Sequence, residues 1–323
     1  MTKHKHFTII DAIQHKQVFG RLPAFASLDS WQSWLVWLKA IHALPMTDIE
    51  LEIFRECTSR QSPPMKPPAE CYTIVGRRGG KSFMTALTAV YLGCFGDYKR
   101  HLNAGERASI LVLAVDRAQT KVVFNYIKGI IDGIPALRQM VVAERADELE
   151  LDNSVVIATK TSDYRGIRGL SIACVIADEV SFWPDQGVNP DTEIFRALKP
   201  AMLTIPDSKL LCISTPYARS GVLFDAHRSY FAQDNDRALV WVAPSTVMNP
   251  CLNQEQIDRD IAADPSAARS EWLAEFRDDL EAAFSLEALE ACVIRGRDEL
   301  PAAPTVAYCG FVDLVADAKT HLQ

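Results

Sequence analysis

The sequence predicts an α/β fold, a doubly wound and mostly parallel sheet with helical appendages before and after it. Two observations predict it. Apolar runs of strand length alternate with helical segments between residues 69 and 245, which is the pattern of parallel βαβ units. These runs are continuously apolar rather than alternating, which indicates strands covered on both faces.

Composition indicates a soluble globular protein. The chain has 323 residues, of which 48% are hydrophobic and 23% charged. No apolar run approaches the roughly 18 residues of a membrane span, and the polar N-terminus lacks a signal peptide's apolar core. We therefore expect no membrane association and a cytoplasmic location. None of the eight cysteines forms a C-x-x-C pair, which favours reduced thiols over a zinc site.

The net charge bears on nucleic-acid binding. At −7, the chain is more acidic than a protein that clamps DNA statically. Any contact with nucleic acid is therefore expected to be local, transient or shared among subunits.

The first 68 residues form the predicted N-terminal region. Apolar residues recur at three- and four-residue spacing over residues 28–44, which predicts an amphipathic helix ending before Pro45. A second helix is predicted over Asp48–Cys57. Four prolines between Ser62 and Pro68 then predict a linker, because proline is excluded from helix interiors and central strands.

The predicted sheet domain covers residues 69–245. The helices expected to connect its strands run from the glycine-rich turn to about Phe95, over Arg117–Ile131 and over Asp191–Met202. The predicted strands are Cys71–Val75, Ser109–Val115, Val155–Thr159, Cys174–Ala177 and Lys209–Ser214.

The C-terminal part is predicted to be helical over residues 246–300. The candidate helices are Gln254–Ala263, Pro265–Phe276 and Leu286–Val293. Residues 305–323 begin with another strand-like apolar run, after a short proline-containing linker.

The turn Val75-Gly-Arg-Arg-Gly-Gly-Lys-Ser82 has the context of a phosphate-binding P-loop, or Walker A motif, because it follows a strand and opens a helix. Val75 stands where the consensus has its first glycine, so the match is a variant. Lys81 would contact the β- and γ-phosphates of ATP, and Ser82 would bind Mg²⁺. A glycine-rich turn with a chance Lys-Ser is the alternative. The residues predicted to bind nucleotide here are Gly76, Arg77, Gly79, Gly80, Lys81 and Ser82.

Two carboxylates end the apolar run Ile172–Ala177, as in a Walker B motif. Asp178 is predicted to help hold Mg²⁺, and Glu179 to polarise the attacking water as a general base. We expect this strand to run beside the P-loop strand. A strand ending in solvated acids is the alternative, although the P-loop makes it less favourable. A water-activating base also favours ATP hydrolysis over kinase chemistry. The motifs together predict a P-loop NTPase of the RecA/helicase-like type.

Three arginines are candidates for stabilising charge at the γ-phosphate. Arg165 and Arg168, in an Arg-Gly loop, would act on a neighbouring subunit, and Arg78 within its own subunit. A solvated loop with glycine turns is the alternative for the first two.

Three polar residues are weaker candidates for nucleotide contact. Ser214 and Thr215 end a buried strand and would face the ligand crevice of an open sheet, although Ser-Thr-Pro is also a common strand exit. Gln32 could read adenine through its amide, or could simply be a polar helix position.

Together these motifs resemble the terminase large-subunit ATPases of tailed phages and prophages. The resemblance covers residues 25–315 and rests on the order Gly-Arg-Arg-Gly-Gly-Lys-Ser, an Arg-Gly loop, Val-Ile-Ala-Asp-Glu and Ile-Ser-Thr-Pro-Tyr-Ala-Arg-Ser-Gly. It implies an ATP-hydrolysing motor that moves double-stranded DNA into a capsid. It also implies a homo-oligomeric ring on the portal protein, a small terminase subunit as partner, and work in the bacterial host cytoplasm.

The resemblance also implies a C-terminal nuclease of RNase H-like fold. Residues 305–323 resemble its first strand, with Asp313 as a vestigial metal ligand. One strand cannot collect the remaining acids, so we expect a truncated copy without nuclease activity.

Three other functions stay open from the sequence. A non-catalytic prophage remnant would bind nucleotide only. A helicase-like ATPase of another family would be expected to have a second ATPase domain or a strongly basic face, and neither is visible in the sequence. A nucleotide kinase is disfavoured by Glu179.

Overall fold

A computed structural model describes residues 7–161, 169–183 and 191–278. The strands are β1 (Glu70–Val75), β2 (Ala108–Ala114), β3 (Val141–Glu144), β4 (Glu148–Leu151), β5 (Val155–Thr161), β6 (Ser171–Asp178), β7 (Lys209–Ser214) and β8 (Ala238–Ala243). The longer helices are α1 (Ile9–Gln14), α2 (Gln32–Ile41), α3 (Asp48–Thr58), α4 (Lys81–Phe95), α5 (Arg117–Asp132), α7 (Asp191–Met202), α8 (Gly221–Tyr230), α10 (Gln254–Ala263) and α11 (Pro265–Leu273), and α6 (Pro135–Arg138) and α9 (Ser245–Met248) are single turns.

All eight strands form one sheet in the order β3-β4-β5-β2-β6-β7-β1-β8. Six neighbouring strands pair in parallel, in the order β5, β2, β6, β7, β1 and β8, whereas β3 and β4 add an antiparallel edge. The predicted doubly wound, mostly parallel α/β fold is therefore confirmed.

Successive strand residues pack on opposite faces of the sheet, because side chains alternate along a strand. In β1, Cys71 and Val75 face one core with α1–α5, and Tyr72 and Ile74 face another with α7 and α8. Each central strand is therefore buried on both sides, as its continuous apolar run predicts.

The N-terminal helices lie within the first of these cores. Eight of the ten residues of α2 are buried, and the indole of Trp37 donates to Thr73 Oγ1 on β1 at 2.9 Å. The helix predicted over residues 28–44 is shorter, Gln32–Ile41, after a 3₁₀ turn at Asp29–Trp31. It is buried on nearly all sides rather than amphipathic, because β1 contacts Trp37 and α9 contacts Ser33 on the face that the pattern left to solvent.

Several elements escaped prediction. The hairpin β3–β4, the strand β8 and the helix α8 were all missed. No helix among residues 7–161, 169–183 and 191–278 is long and apolar enough to cross a bilayer. Five cysteines of this part are buried and Cys251 is exposed.

Candidate functional site

The glycine-rich turn joins the end of β1 to the start of α4, as the P-loop interpretation requires. Gly80 has φ +92° immediately before Lys81, a left-handed conformation that glycine adopts without strain. A side chain at Gly76 would lie 2.2 Å from Ser245 Oγ, so this glycine is required by close packing. Sequence and packing thus agree that the turn must be glycine-rich.

The amides of the turn divide into two groups. Gly76 N–H donates to Ala243 O, and Arg77 N–H donates to Glu271 O. The amides of Gly80, Lys81 and Ser82 have no acceptor among the described residues and lie at the N-terminus of α4. Helix N-termini of this kind bind anions, because unsatisfied N–H groups and the helix dipole both favour negative charge.

Lys81 is buried at the centre of the site, with only 6% of its side chain exposed. Its ammonium donates to the carbonyls of Val75 at 3.2 Å and Gly76 at 3.3 Å, and to Thr215 Oγ1 at 2.6 Å. It also lies 3.5 Å from Glu179 Oε1. A single cation therefore links the P-loop, the acidic pair and the end of β7.

Asp178 ends β6 and is fully buried. Neither of its carboxylate oxygens has a hydrogen-bond partner among the described residues. Burial, and to a smaller extent the adjacent Glu179 carboxylate, raise the pKa of Asp178 to about 7 against the lowering effect of Lys81. A buried carboxylate left without donors is a site for a cation.

Glu179 lies just beyond the strand with φ +51°, an uncommon conformation for a non-glycine residue. Its Oε2 accepts hydrogen bonds from Ser214 Oγ and from Thr215 N–H, both at 3.1 Å. Its side chain is 18% exposed, so solvent can reach the carboxylate. The predicted general base is therefore oriented by the two hydroxyl residues that end β7.

The acidic strand does not run beside the P-loop strand. β6 pairs with β2 and β7, and β7 pairs with β1, so β7 lies between the acidic pair and the P-loop. The expectation of adjacency is wrong because β7 returns to the sheet between them. The same insertion places Thr215 in contact with both motifs and Ser214 in contact with Glu179.

A C-terminal segment covers the P-loop. Ser245 Oγ donates to Arg77 O at 2.6 Å, and Asn249 Nδ2 donates to Arg78 O at 3.0 Å. From α11, Ser270 Oγ donates to Pro216 O at 2.7 Å. Ser245 and Asn249 were not predicted from the sequence, although the apolar run Ala238–Ala243 indicates the strand β8 and would have placed Ser245 at the same edge.

Another missed contact comes from α2. The indole of Trp34 donates to Gly79 O at 2.7 Å, and both groups are buried. Trp34 therefore positions the backbone of the P-loop from the opposite side. Its helix was recognised in the sequence, but no local signal links it to the turn.

The remaining predicted residues lie at the margin of the site or beyond the described chain. Arg77 is exposed and pairs with Glu271 at 3.0 Å, and Arg78 is exposed with φ +60°. Gln32 is exposed and its amide donates to Leu28 O at 3.0 Å, so its contact with adenine stays a prediction. Arg165, Arg168 and Asp313 lie outside the described residues.

The site fits a magnesium ion. Asp178 supplies two unpartnered buried oxygens, and Ser82, the second residue of α4, is half-buried beside Lys81. Mg²⁺ prefers a few carboxylate or hydroxyl oxygens together with substrate phosphates, which is the donor set present here.

Comparison with known proteins gives a family for this fold. Residues 41–273 match the model of a family described as "Uncharacterized protein MJ0330, N-terminal P-loop domain". The match includes the P-loop, the acidic pair and the end of β7. No curated protein matches the chain.

Solved structures share the fold at low identity. The large terminase ATPase domain of Thermus phage P74-26, in a mutant form, is 17% identical with a TM-score of 0.52, over 74% of this chain and 98% of that one. The large terminase of bacteriophage HK97 is 18% identical with a TM-score of 0.51, over 72% of this chain and 56% of that one. The chain thus corresponds to about half of the HK97 protein.

Proposed function

The chain belongs to the family of the MJ0330 N-terminal P-loop domain. We propose that it is an ATPase that drives the packaging of double-stranded DNA, a role supported by the order of its motifs and by the fold it shares with large terminases. The observation that carries the proposal is the contact of Lys81 with Thr215 and Glu179. This contact joins a phosphate-binding cation, a polar strand end and a general base in one buried cluster.

The proposed chemistry begins with phosphate binding. The amides of Gly80, Lys81 and Ser82 would receive the phosphates of ATP, and the Lys81 ammonium would contact the β- and γ-phosphates. Lys81 now donates to Thr215 Oγ1 and to two P-loop carbonyls, so it would exchange the carbonyls for phosphate oxygens and keep its contact with Thr215.

Glu179 would then act on water. Its carboxylate, held by Ser214 and Thr215, is positioned to accept a proton from a water molecule as that water attacks the γ-phosphorus. The bond between the γ-phosphorus and the bridging oxygen breaks, and ADP and phosphate leave. When bound, Mg²⁺ would neutralise phosphate charge, held by Asp178 and Ser82.

The arginine predicted to act at the γ-phosphate remains a proposal. Arg78 is exposed within the P-loop, which fits a role within its own subunit. Arg165 and Arg168 would act on a neighbouring subunit in a ring. Gln32 begins α2, the helix whose Trp34 donates to Gly79 O, and it would contact adenine from there.

The proposed partners follow from the packaging role. They are double-stranded DNA, the portal protein, a small terminase subunit and further copies of this chain in a ring. The two solved structures above are described as large terminases, which supports the proposal through the fold. The division into residues 1–68, 69–245, 246–300 and 305–323 also stays a prediction.

Steady-state ATP hydrolysis tests the proposal. The purified chain would be assayed with and without duplex DNA, beside Lys81→Ala and Glu179→Gln. We expect DNA-stimulated turnover that both substitutions abolish, with Glu179→Gln still binding Mg-ATP. Nucleotide binding without turnover at any DNA concentration would indicate the nucleotide-binding remnant instead. Failure to bind nucleotide would overturn the P-loop assignment.

A further inference from the structure

A second site at the carboxyl edge of the sheet lies two strands away from Asp178. It is an open groove of about 970 Å³ between α5, the turn joining β3 to β4 and the end of β5. Five cations line it against two carboxylates, although the whole chain carries a net charge of −7. The cations are Arg117, Lys121, Lys128, Arg145 and Lys160, and the carboxylates are Glu144 and Asp147.

Three of these cations form a row along one face of α5. Arg117, Lys121 and Lys128 are separated by four and seven residues, spacings that return to the same side of a helix. At a rise of 1.5 Å per residue the row is roughly 16 Å long. A straight row of charge fits an extended ligand better than a compact one.

The two cations at the N-terminal end of the row are available to a ligand. Arg117 and Lys121 are exposed and form no ion pair with any residue in the described part of the chain. By contrast, Lys128 pairs with Glu144 and Arg145 pairs with Glu148. Among the cations of α5 and of the β3–β4 turn, the positive charge without an acidic partner is therefore concentrated at Arg117 and Lys121.

We propose that this groove binds the phosphate backbone of duplex DNA, with Arg117 and Lys121 as its main contacts. The identity of the partner rests on the proposed function, whereas the location rests on the groove alone. A duplex strand advances about 3.4 Å along the axis per phosphate, so Arg117 and Lys121, roughly 6 Å apart along α5, match about two successive phosphates. Contacts of this kind position a duplex without reading its sequence.

The groove is connected to the nucleotide site through α4 and α5. These two helices pack together, and α4 begins at Lys81. Phe83 on α4 meets Tyr126 on α5 with ring centroids 6.0 Å apart. A displacement of the P-loop on nucleotide binding would thus reach the helix that carries Arg117 and Lys121.

The test measures DNA binding and ATP hydrolysis separately in the full chain. A fluorescently labelled DNA duplex would be titrated at several salt concentrations against wild type and Arg117→Ala/Lys121→Ala. Arg196→Ala/Arg228→Ala is the matched control, since it removes two exposed helical cations and changes the net charge equally. ATP turnover without DNA would be measured on the same preparations.

We expect the groove variant to bind duplex DNA roughly tenfold or more weakly near 0.1 M salt, with the slope of log affinity against log salt reduced by about 2. It should lose DNA stimulation and keep its turnover without DNA, and the control should behave as wild type. Three results would overturn the proposal that the groove binds DNA. They are wild-type affinity in the groove variant, an equal loss of affinity in the control, and a wild-type chain that binds no duplex at low salt.

The two proposals fail in different ways. ATP turnover that does not depend on Lys81 would contradict the proposed ATPase site. The DNA-binding titration would then still test the proposed groove independently. If turnover depends on Lys81 but the groove variant binds DNA as wild type does, the ATPase proposal stands and the DNA-binding proposal for the groove is contradicted.

Discussion

Strand β7 has a buried lysine near each of its ends, and the two lysines have different surroundings. Lys209, its first residue, donates to Ile41 O at 3.0 Å, which ties α2 to the sheet. Lys81 approaches the other end and donates to Thr215 Oγ1 at 2.6 Å. Lys209 donates a hydrogen bond to a backbone carbonyl, whereas Lys81 lies close to Asp178, whose carboxylate oxygens have no hydrogen-bond partner among the described residues.

The surroundings of the two lysines sharpen this difference. At the amino edge, Glu70 is matched by Arg237 at 3.3 Å, by Lys199 at 3.7 Å and by the hydroxyl of Tyr72 at 2.7 Å. At the carboxyl edge, both oxygens of Asp178 lack donors in the described structure. A charged group whose partners are all present in the protein indicates a structural role. A buried charged group without partners indicates a site for a ligand.

The largest expected effect comes from exchanging each lysine for alanine. Lys81→Ala should abolish measurable ATP turnover, since the described site contains no other buried cation that could bind the phosphates. Lys209→Ala should keep turnover and lose about 1–3 kcal/mol of stability, because Ile41 O is left without a donor. Urea denaturation and a phosphate-release assay would check both. Loss of turnover in folded Lys209→Ala would remove the distinction between the two edges.

A hydroxyl at the functional edge should matter more than one elsewhere in the core. Thr215→Val removes the acceptor of Lys81, and a hydrogen bond to a charged group contributes roughly 1.5–3 kcal/mol. We expect kcat to fall about ten- to a hundredfold. Thr88→Val is the matched control, because the buried Thr88 hydroxyl has no partner among the described residues. Equal kcat values for the two variants would contradict the assigned role of Thr215.

The packing of α11 on the P-loop can be tested with two glycines. Gly76→Ala would place a methyl group within 3 Å of the carbonyls of Glu271 and Trp272, so it should destabilise the protein by about 1–3 kcal/mol. Gly129→Ala, inside α5 with open space around it, should stabilise by about 0.5–1 kcal/mol. Thermal denaturation gives both values. A Gly76→Ala protein as stable as wild type would show that α11 does not close on the loop.

The smallest effect should be a gain in stability. The folded pKa of Asp178, about 7, exceeds its ordinary value of 3.8, so stability is lost as pH rises between those values. Without metal, Asp178→Asn should raise Tm by a few degrees at pH 8 and leave it nearly unchanged at pH 5. Calorimetry in chelator would check this. An equal shift at both pH values would show that the charge of Asp178 is not the cause.

Much of this arrangement could be predicted from local pattern. The bounds of Lys209–Ser214 and Gln254–Ala263 agree with the structure, because apolar runs and helical periodicity are local properties. β3 and β4 were missed because Glu148–Leu151 alternates charged and apolar residues within only four positions. α8 was missed because Gly221 begins it at φ +81°, with the carboxylate of Asp191, distant in sequence, accepting from Val222 N–H.

The sequence by itself determined the class of fold and predicted the P-loop and the acidic pair, since apolar runs, residue types and their spacing are local properties. Tertiary structure alone decided that β7 lies between the two motifs, that Trp34 and Ser245 hold the P-loop, and that Thr215 meets Lys81. The reason is physical. Strand order and side-chain contact depend on how segments far apart in the chain bury their apolar faces together, and no local pattern encodes that choice.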